Sequence, residues 1–196
     1  MTTDIAALIG SRICHDLISP IGAIGNGVEL LSMSGNSGSA ELDLITQSVQ
    51  NANARIRFFR IAYGAANPDQ LIGRQEVLSV LAATALGGRL SYFWQITDDQ
   101  SRGMVRGTFL LLQCMETAMP LGGDIQISTD GDTWVLTGTG PRIKIDQPMW
   151  DALLVPDDTL DIKAAHVQFA LAPTVIADID RRLAFTFDDT SLTLRF

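Results

Sequence analysis

The chain lacks the features that define several classes of protein. No apolar run among its 196 residues reaches the roughly 18 that a membrane span requires. Basic residues are scarce, and 14 Lys and Arg against 22 Asp and Glu leave a formal net charge of −8. That balance argues against a nucleic-acid partner, which normally meets a basic face. Cysteine is almost missing, and the two present, Cys14 and Cys114, make neither a disulfide framework nor a zinc site. Both are expected as small core residues. The opening "MTTDIAALIG" has no basic segment and carries Asp4, unlike a secretion signal. A cytoplasmic protein with no membrane partner is the expectation. No P-loop is present, because "GNGVEL" is too short and no lysine follows it. Internal repeats and low-complexity segments are also missing. Charged residues make up 18% and hydrophobic ones 46%, which favours a packed core over disorder.

Helical periodicity dominates the N-terminal third. Ile13, Leu17, Ile21, Ile24, Val28 and Leu31 recur at spacings of three and four. "SGNSGS" (34–39) interrupts the pattern, and Leu42, Ile45, Val49, Ala52, Ile56, Phe59 and Tyr63 then follow a 3-4 alternation without a miss. Such a seam belongs to an antiparallel bundle. Two helices cannot bury a continuous seam alone, so a homodimeric four-helix bundle over residues 1–66 is expected, with packing onto the C-terminal half as the competing arrangement. "GAANPD" (64–69) marks the boundary. Beyond it, "EVLSVLAATALGG", "GMVRGTFLLLQCMETAM", "PMWDALL" and residues 161–180 read as helices, and "RLSYFWQIT" as a strand. "GGDIQISTDGDTWVLTG" turns at Asp130-Gly131, and "RLAFTF" and "SLTLRF" flank Asp188-Asp189, giving two hairpins. The fold class is therefore α+β, with a two-layer domain over residues 70–196.

An advance of about 100° per residue gathers the first seam into a sector of about 80° and puts His15 about 200° from Ile13. His15 shares that outer face with Leu8, Ser11, Arg12, Ile18, Ser19, Gly22, Asn26 and Glu29. Ser19 and Gly22 would admit a close backbone, and Ile18 and Leu8 would give apolar contact. The face reads evenly as a docking surface or a solvated one. Asp16 falls about 100° from His15 and off its face. Arg12, one turn earlier, suits either a phosphate and a partner's acids or an ordinary surface ion pair. A neutral imidazole can attack phosphorus and hold the phosphoryl group, splitting one transfer into two. Pro20 removes a backbone donor one turn beyond and is expected to bend the helix.

"HDLISPIG" resembles the H-box of sensor histidine kinases at His15, Asp16, Leu17 and Pro20. The C-terminal half resembles the ATP-binding domain of those kinases in decayed form. Thr117 stands where the kinase asparagine helps bind metal, Leu136 stands where an aspartate reads adenine in "LTGTG", and no glycine-rich lid is found. A chain so altered loses one metal ligand and the adenine contact. Together these features resemble the ChpT-type histidine phosphotransferases of alphaproteobacteria. The resemblance implies a dimer in which His15 is the phosphoacceptor and Asp16 orients or deprotonates it. It implies a hybrid-kinase receiver domain as donor and CtrA-like or single-domain response regulators as acceptors. The expected partner face is Ser11, Arg12, Ile18, Ser19 and Gly22. The chain would have no cofactor of its own and no ATP, with Mg²⁺ brought by the receiver. An ATP-dependent kinase with atypical boxes and a non-catalytic adaptor are the alternatives.

The remaining candidates read as structural. Gly138 and Gly140 are expected at turns. Asp98-Asp99, Asp157-Asp158 and Asp188-Asp189 look like turn residues without metal-loop spacing. His166 has no acid or serine placed to form a triad, and it reads as a surface or partly buried histidine.

Overall fold

The computed structural model describes residues 4–34, 39–65, 67, 70–155 and 160–196. Two helices open the chain, α1 (Ile5–Ser34) and α2 (Ser39–Ala62). Asp4 caps the first by accepting the Ala7 N–H at 3.1 Å. Asp16 faces Arg55, and Gly27 lies against Ile45, so the pair runs antiparallel. Pro20 sits inside α1, which continues through it.

The apolar seam divides. Ile13, Leu17, Ile24 and Leu31 of α1 are half-buried, and Ala52 and Phe59 of α2 are buried. Ile21 and Val28, with Leu42, Val49 and Ile56, point to solvent at seven-residue intervals. The competing arrangement is thus realised in part, because the base of α2 packs on the C-terminal half through Phe58, Phe59, Ile61 and Ala62. Cys14 is exposed, contrary to expectation, while Cys114 is buried. Cys14 lies seven residues before Ile21, on an edge of α1 left exposed among the described residues.

The rest comprises α3 (Arg74–Ala85), α4 (Arg102–Ala118), α5 (Gln147–Leu154) and α6 (Val167–Asp178), with strands β1 (Leu71–Ile72), β2 (Leu90–Trp94), β3 (Gln100–Ser101), β4 (Gly123–Asp130), β5 (Thr133–Thr139), β6 (Ala184–Phe187) and β7 (Ser191–Arg195). Five strands form one sheet in the order β2-β4-β5-β7-β6, parallel only between β2 and β4. Ile125, Ile127, Leu192 and Leu194 are buried while their strand neighbours are largely exposed or half-buried, so one face of the sheet carries the helices. The turn after Asp130 uses Gly131 at φ 59°, as the hairpin pattern requires.

Two readings change. Residues 161–180 hold an α-helix only over Val167–Asp178, preceded by a 3₁₀ turn at Ala164–His166. Lys163 is extended, and Asp180 turns left-handed at φ 55° while Arg181 N–H reaches the Ile176 carbonyl, closing the helix early. The short β1–β3 pair was not expected, since two residues show no alternation. The break at 35–38 and the acidic pair Asp157-Asp158 lie outside the described residues.

The hairpin is rooted by α4. Arg102 donates from Nε to the Ala65 carbonyl and from Nη2 to the Arg60 carbonyl, both at 2.8 Å. Arg106 Nε reaches the Ala62 carbonyl at 3.3 Å. These guanidinium groups satisfy carbonyls that the end of α2 leaves unpaired and complement its dipole. Beneath them Phe58 and Phe109 pack with ring centroids 4.7 Å apart. An Arg102→Ala variant should lose about 1 kcal/mol of stability in urea unfolding, with the loss appearing as a lower midpoint at unchanged slope.

Candidate functional site

Residues 12–16 of α1 form the centre. The His15 side chain is 85% exposed and the Asp16 side chain 9%. His15 Nδ1 lies 3.1 Å from Asp16 Oδ1. This corrects the expectation that Asp16 stands off the histidine: helical side chains lean toward the N-terminus, so a carboxylate one residue later can reach back. A carboxylate only accepts, so this contact is a hydrogen bond in the tautomer with the proton on Nδ1, which leaves the Nε2 lone pair free.

Asp16 is held from its other oxygen. Arg12 Nε donates to Oδ2 at 2.8 Å, and Arg55 Nη1 of α2 lies 3.6 Å from the same atom. Arg12 also donates through Nη1 to the Ala165 carbonyl in the 3₁₀ turn before α6. With its side chain only 17% exposed, Arg12 is turned inward. Its fork is engaged within the chain, by Asp16 and the Ala165 carbonyl. Tyr63 lies near the pair and donates to Gln113 Oε1 at 2.8 Å, and burial pushes its hydroxyl up to about 12. Ser11, Ile18, Ser19 and Gly22 are exposed. A Cβ at Gly22 would meet nothing within 4 Å.

A cleft of about 280 Å³ opens beside Asp16, between the hairpin and the C-terminal half. Arg12, Asp16, Ser19 and Arg55 line one wall, and Arg89 and Tyr92 the other. Burial raises the Tyr92 hydroxyl well above its ordinary value, and Glu116 adds to the shift. Arg55 and the Ala165 carbonyl escaped sequence reasoning. Arg55 belongs to no local motif, and a backbone carbonyl leaves no trace in residue identity.

The residues expected at the kinase-like boxes lie elsewhere. Thr117 is exposed and donates to its own helix at the Cys114 carbonyl, 2.6 Å away. Leu136 is fully buried and pairs with Leu194. Gly138 belongs to β5 and is not a turn residue: a Cβ there would lie 2.8 Å from Met115 Cε and 2.9 Å from Met119 Sδ. Gly140 is packed against Gly122, whose carbonyl oxygen would lie 2.5 Å from an added Cβ. Both glycines serve close packing.

The acidic pairs that are described behave as turn residues. Asp99 accepts the Arg74 N–H at 2.9 Å, opening α3. Asp188 accepts the Thr190 and Ser191 N–H groups, and these bonds lower its carboxyl below the usual range. Among the described residues, no three His, Cys, Asp or Glu gather as for a metal. No described helix is long and apolar enough to cross a membrane.

The site is thus a helical hairpin that presents a carboxylate-tied imidazole and is rooted in an α+β domain. Residues 74–191 match the model of the histidine phosphotransferase C-terminal domain, and the chain belongs to that family. Its sequence is 31% identical over 176 residues to the protein phosphotransferase ChpT of Brucella abortus (strain 2308), covering 86% of this chain and 84% of that one. A solved bacterial phosphotransferase superposes with a TM-score of 0.82 at 27% identity, covering 98% of this chain and 95% of that one. The histidine kinase AdeS of Acinetobacter baumannii aligns over 93% of this chain and 96% of its own, at 13% identity and a TM-score of 0.46, too distant to argue from.

His166 borders this site at the end of the 3₁₀ turn. Burial lowers its imidazole below the ordinary 6.5, Arg12 and Lys163 add to the shift, and Asp146 opposes it. The folded state thus prefers neutral His166. The stability it favours is present above pH 6.5 and is lost as pH falls from 6.5 through the lowered folded value. Unfolding between about pH 7.5 and about pH 5.5 should show a smaller stability loss for His166→Gln than for the wild type. Equal losses would contradict this assignment.

Proposed function

We propose that the protein is the histidine intermediate of a two-component phosphorelay, working without ATP. The observation that carries this reading is His15 itself, exposed at Nε2 and tied at Nδ1 to Asp16. Nε2 attacks the phosphorus of a receiver's aspartyl phosphate. The bond from phosphorus to the aspartate oxygen breaks, and His15 becomes a phosphoramidate. The positive charge that develops on the ring lies beside the Asp16 carboxylate, which offsets it. In the return step the aspartate of a second receiver attacks the same phosphorus and Nε2 leaves. Each receiver supplies its own acidic pocket and Mg²⁺, and this chain supplies an oriented nucleophile.

The donor is the receiver of a hybrid histidine kinase, and the acceptors are CtrA-like or single-domain response regulators in the cytoplasm. They dock on Ser11, Ile18, Ser19 and Gly22, with the cleft beside Asp16 as a further contact. Met115 and Met119 packed against Gly138 favour a domain that takes no nucleotide. Exposed Ile21, Val28, Leu42, Val49 and Ile56 favour a homodimeric four-helix bundle.

Incubated with a phosphorylated receiver, the full chain should acquire acid-labile, base-stable phosphate, and His15→Ala should acquire none. Labelled ATP with Mg²⁺ should leave both unlabelled. Relay persisting through His15→Ala would overturn the mechanism, label from ATP would make the chain a kinase, and binding without any label would make it an adaptor. Separately, Val49→Glu should convert a dimer to a monomer in sedimentation, since a buried unpaired carboxylate in the seam is costly. A wild-type monomer at the same concentration would refute the bundle.

A further inference from the structure

A continuous line of polar contacts joins the C-terminal half to the imidazole. The Ala165 carbonyl accepts Arg12 Nη1, Arg12 Nε donates to Asp16 Oδ2 at 2.8 Å, and Asp16 Oδ1 meets His15 Nδ1 at 3.1 Å. Each oxygen of the carboxylate has a different task. The guanidinium is planar and rigid, so fixing two of its nitrogens fixes the direction from which it holds Asp16. Arg12 and Asp16 are both largely withdrawn from water, at 17% and 9% exposure, where such bonds are less screened than on an open surface. His15 at the far end of the line is exposed.

We infer that Arg12 is a positioning residue through which the C-terminal domain, by its Ala165 carbonyl, sets the ring orientation and tautomer of His15. The inference rests on the phosphorelay reading but concerns the imidazole before any phosphate arrives. Arg12 never touches the reacting atoms. It holds the acceptor that keeps the proton on Nδ1, leaving Nε2 unprotonated for attack. Arg55 assists less, since it approaches the same oxygen from 3.6 Å with half its side chain exposed. Lysine at position 12 would keep the charge, yet one ammonium has no planar fork to span Asp16 and the Ala165 carbonyl together.

Ring ¹⁵N shifts of His15 in the full chain test this, read at about pH 8.5 where imidazole is neutral, with His166→Gln identifying the other histidine. The wild type should show mainly the Nδ1–H form, while Arg12→Lys and Arg12→Gln should move toward the Nε2–H form. Arg55→Ala should stay near the wild type. A second readout uses phosphoramidate, a small donor that needs no receiver: Nε2 attacks its phosphorus, the phosphorus–nitrogen bond breaks, and ammonia leaves with the three hydrogens already on that nitrogen, while Nδ1 keeps its proton. Uptake should fall about tenfold or more in Arg12→Lys, the scale on which losing an orienting partner acts. A wild-type tautomer in Arg12→Lys would overturn the inference, as would Nε2–H in the wild type or an equal shift in Arg55→Ala. If the tautomers shift as expected but no wild-type donor experiment labels His15, Arg12 keeps its role and the phosphorelay reading fails.

Discussion

The end of α2 fixed onto α4 is the constraint on which the site depends. Helix ends expose carbonyls that must find donors, and here the donors come from Arg102 and Arg106 across the boundary between the two halves. Phe58 and Phe109 fill the space beneath. With α2 held there, α1 is placed by its packing on α2 and by its contact with the turn before α6. A hairpin joined only by a loose linker would let α1 swing. The Arg12 bridge to Ala165 needs that swing to be small, because a hydrogen bond tolerates only a few tenths of an ångström.

The same rooting gives the C-terminal domain a structural task that needs no ligand. The glycines of "LTGTG" remain, yet in this fold they admit methionine side chains and a neighbouring backbone. Leu136 is a core residue between Ile127 and Leu194, where an aspartate would have no partner. Packing accounts for the residues at these positions. The domain offers α1 a surface, and its Ala165 carbonyl accepts from the arginine that orients the carboxylate beside His15.

Much of this was legible in the sequence, and the remainder was not for definite reasons. The helical hairpin and both β-hairpins followed from periodicity and from Asp130-Gly131 and Asp188-Asp189, because local pattern and burial agree there. His15 facing away from the seam also followed. A helical wheel carries angles but no side-chain lean, so it separated Asp16 from a histidine that it touches. Cys14 is small and apolar enough for a core, and only the three-dimensional packing leaves it exposed. Arg55 and Ala165 stand 39 and 149 residues from Asp16, and no spacing rule joins them to it.

The division of the seam bears on how association and docking coexist. In α2, Ala52 and Phe59 turn inward while Leu42, Val49 and Ile56 turn outward, so alternate members of one 3-4 repeat serve different neighbours. Small Ala52 and Ser48 let α2 lie close to its surroundings, and the large residues are kept for the open side. Across α1 the outward members are Ile21 and Val28, about 120° and about 140° around the helix from His15 when the advance is about 100° per residue. A second copy seated on those residues would leave the imidazole and the small residues beside it uncovered. In the proposed bundle, dimerisation and receiver docking therefore use different sides of the same helix, and neither has to be undone for the other to occur.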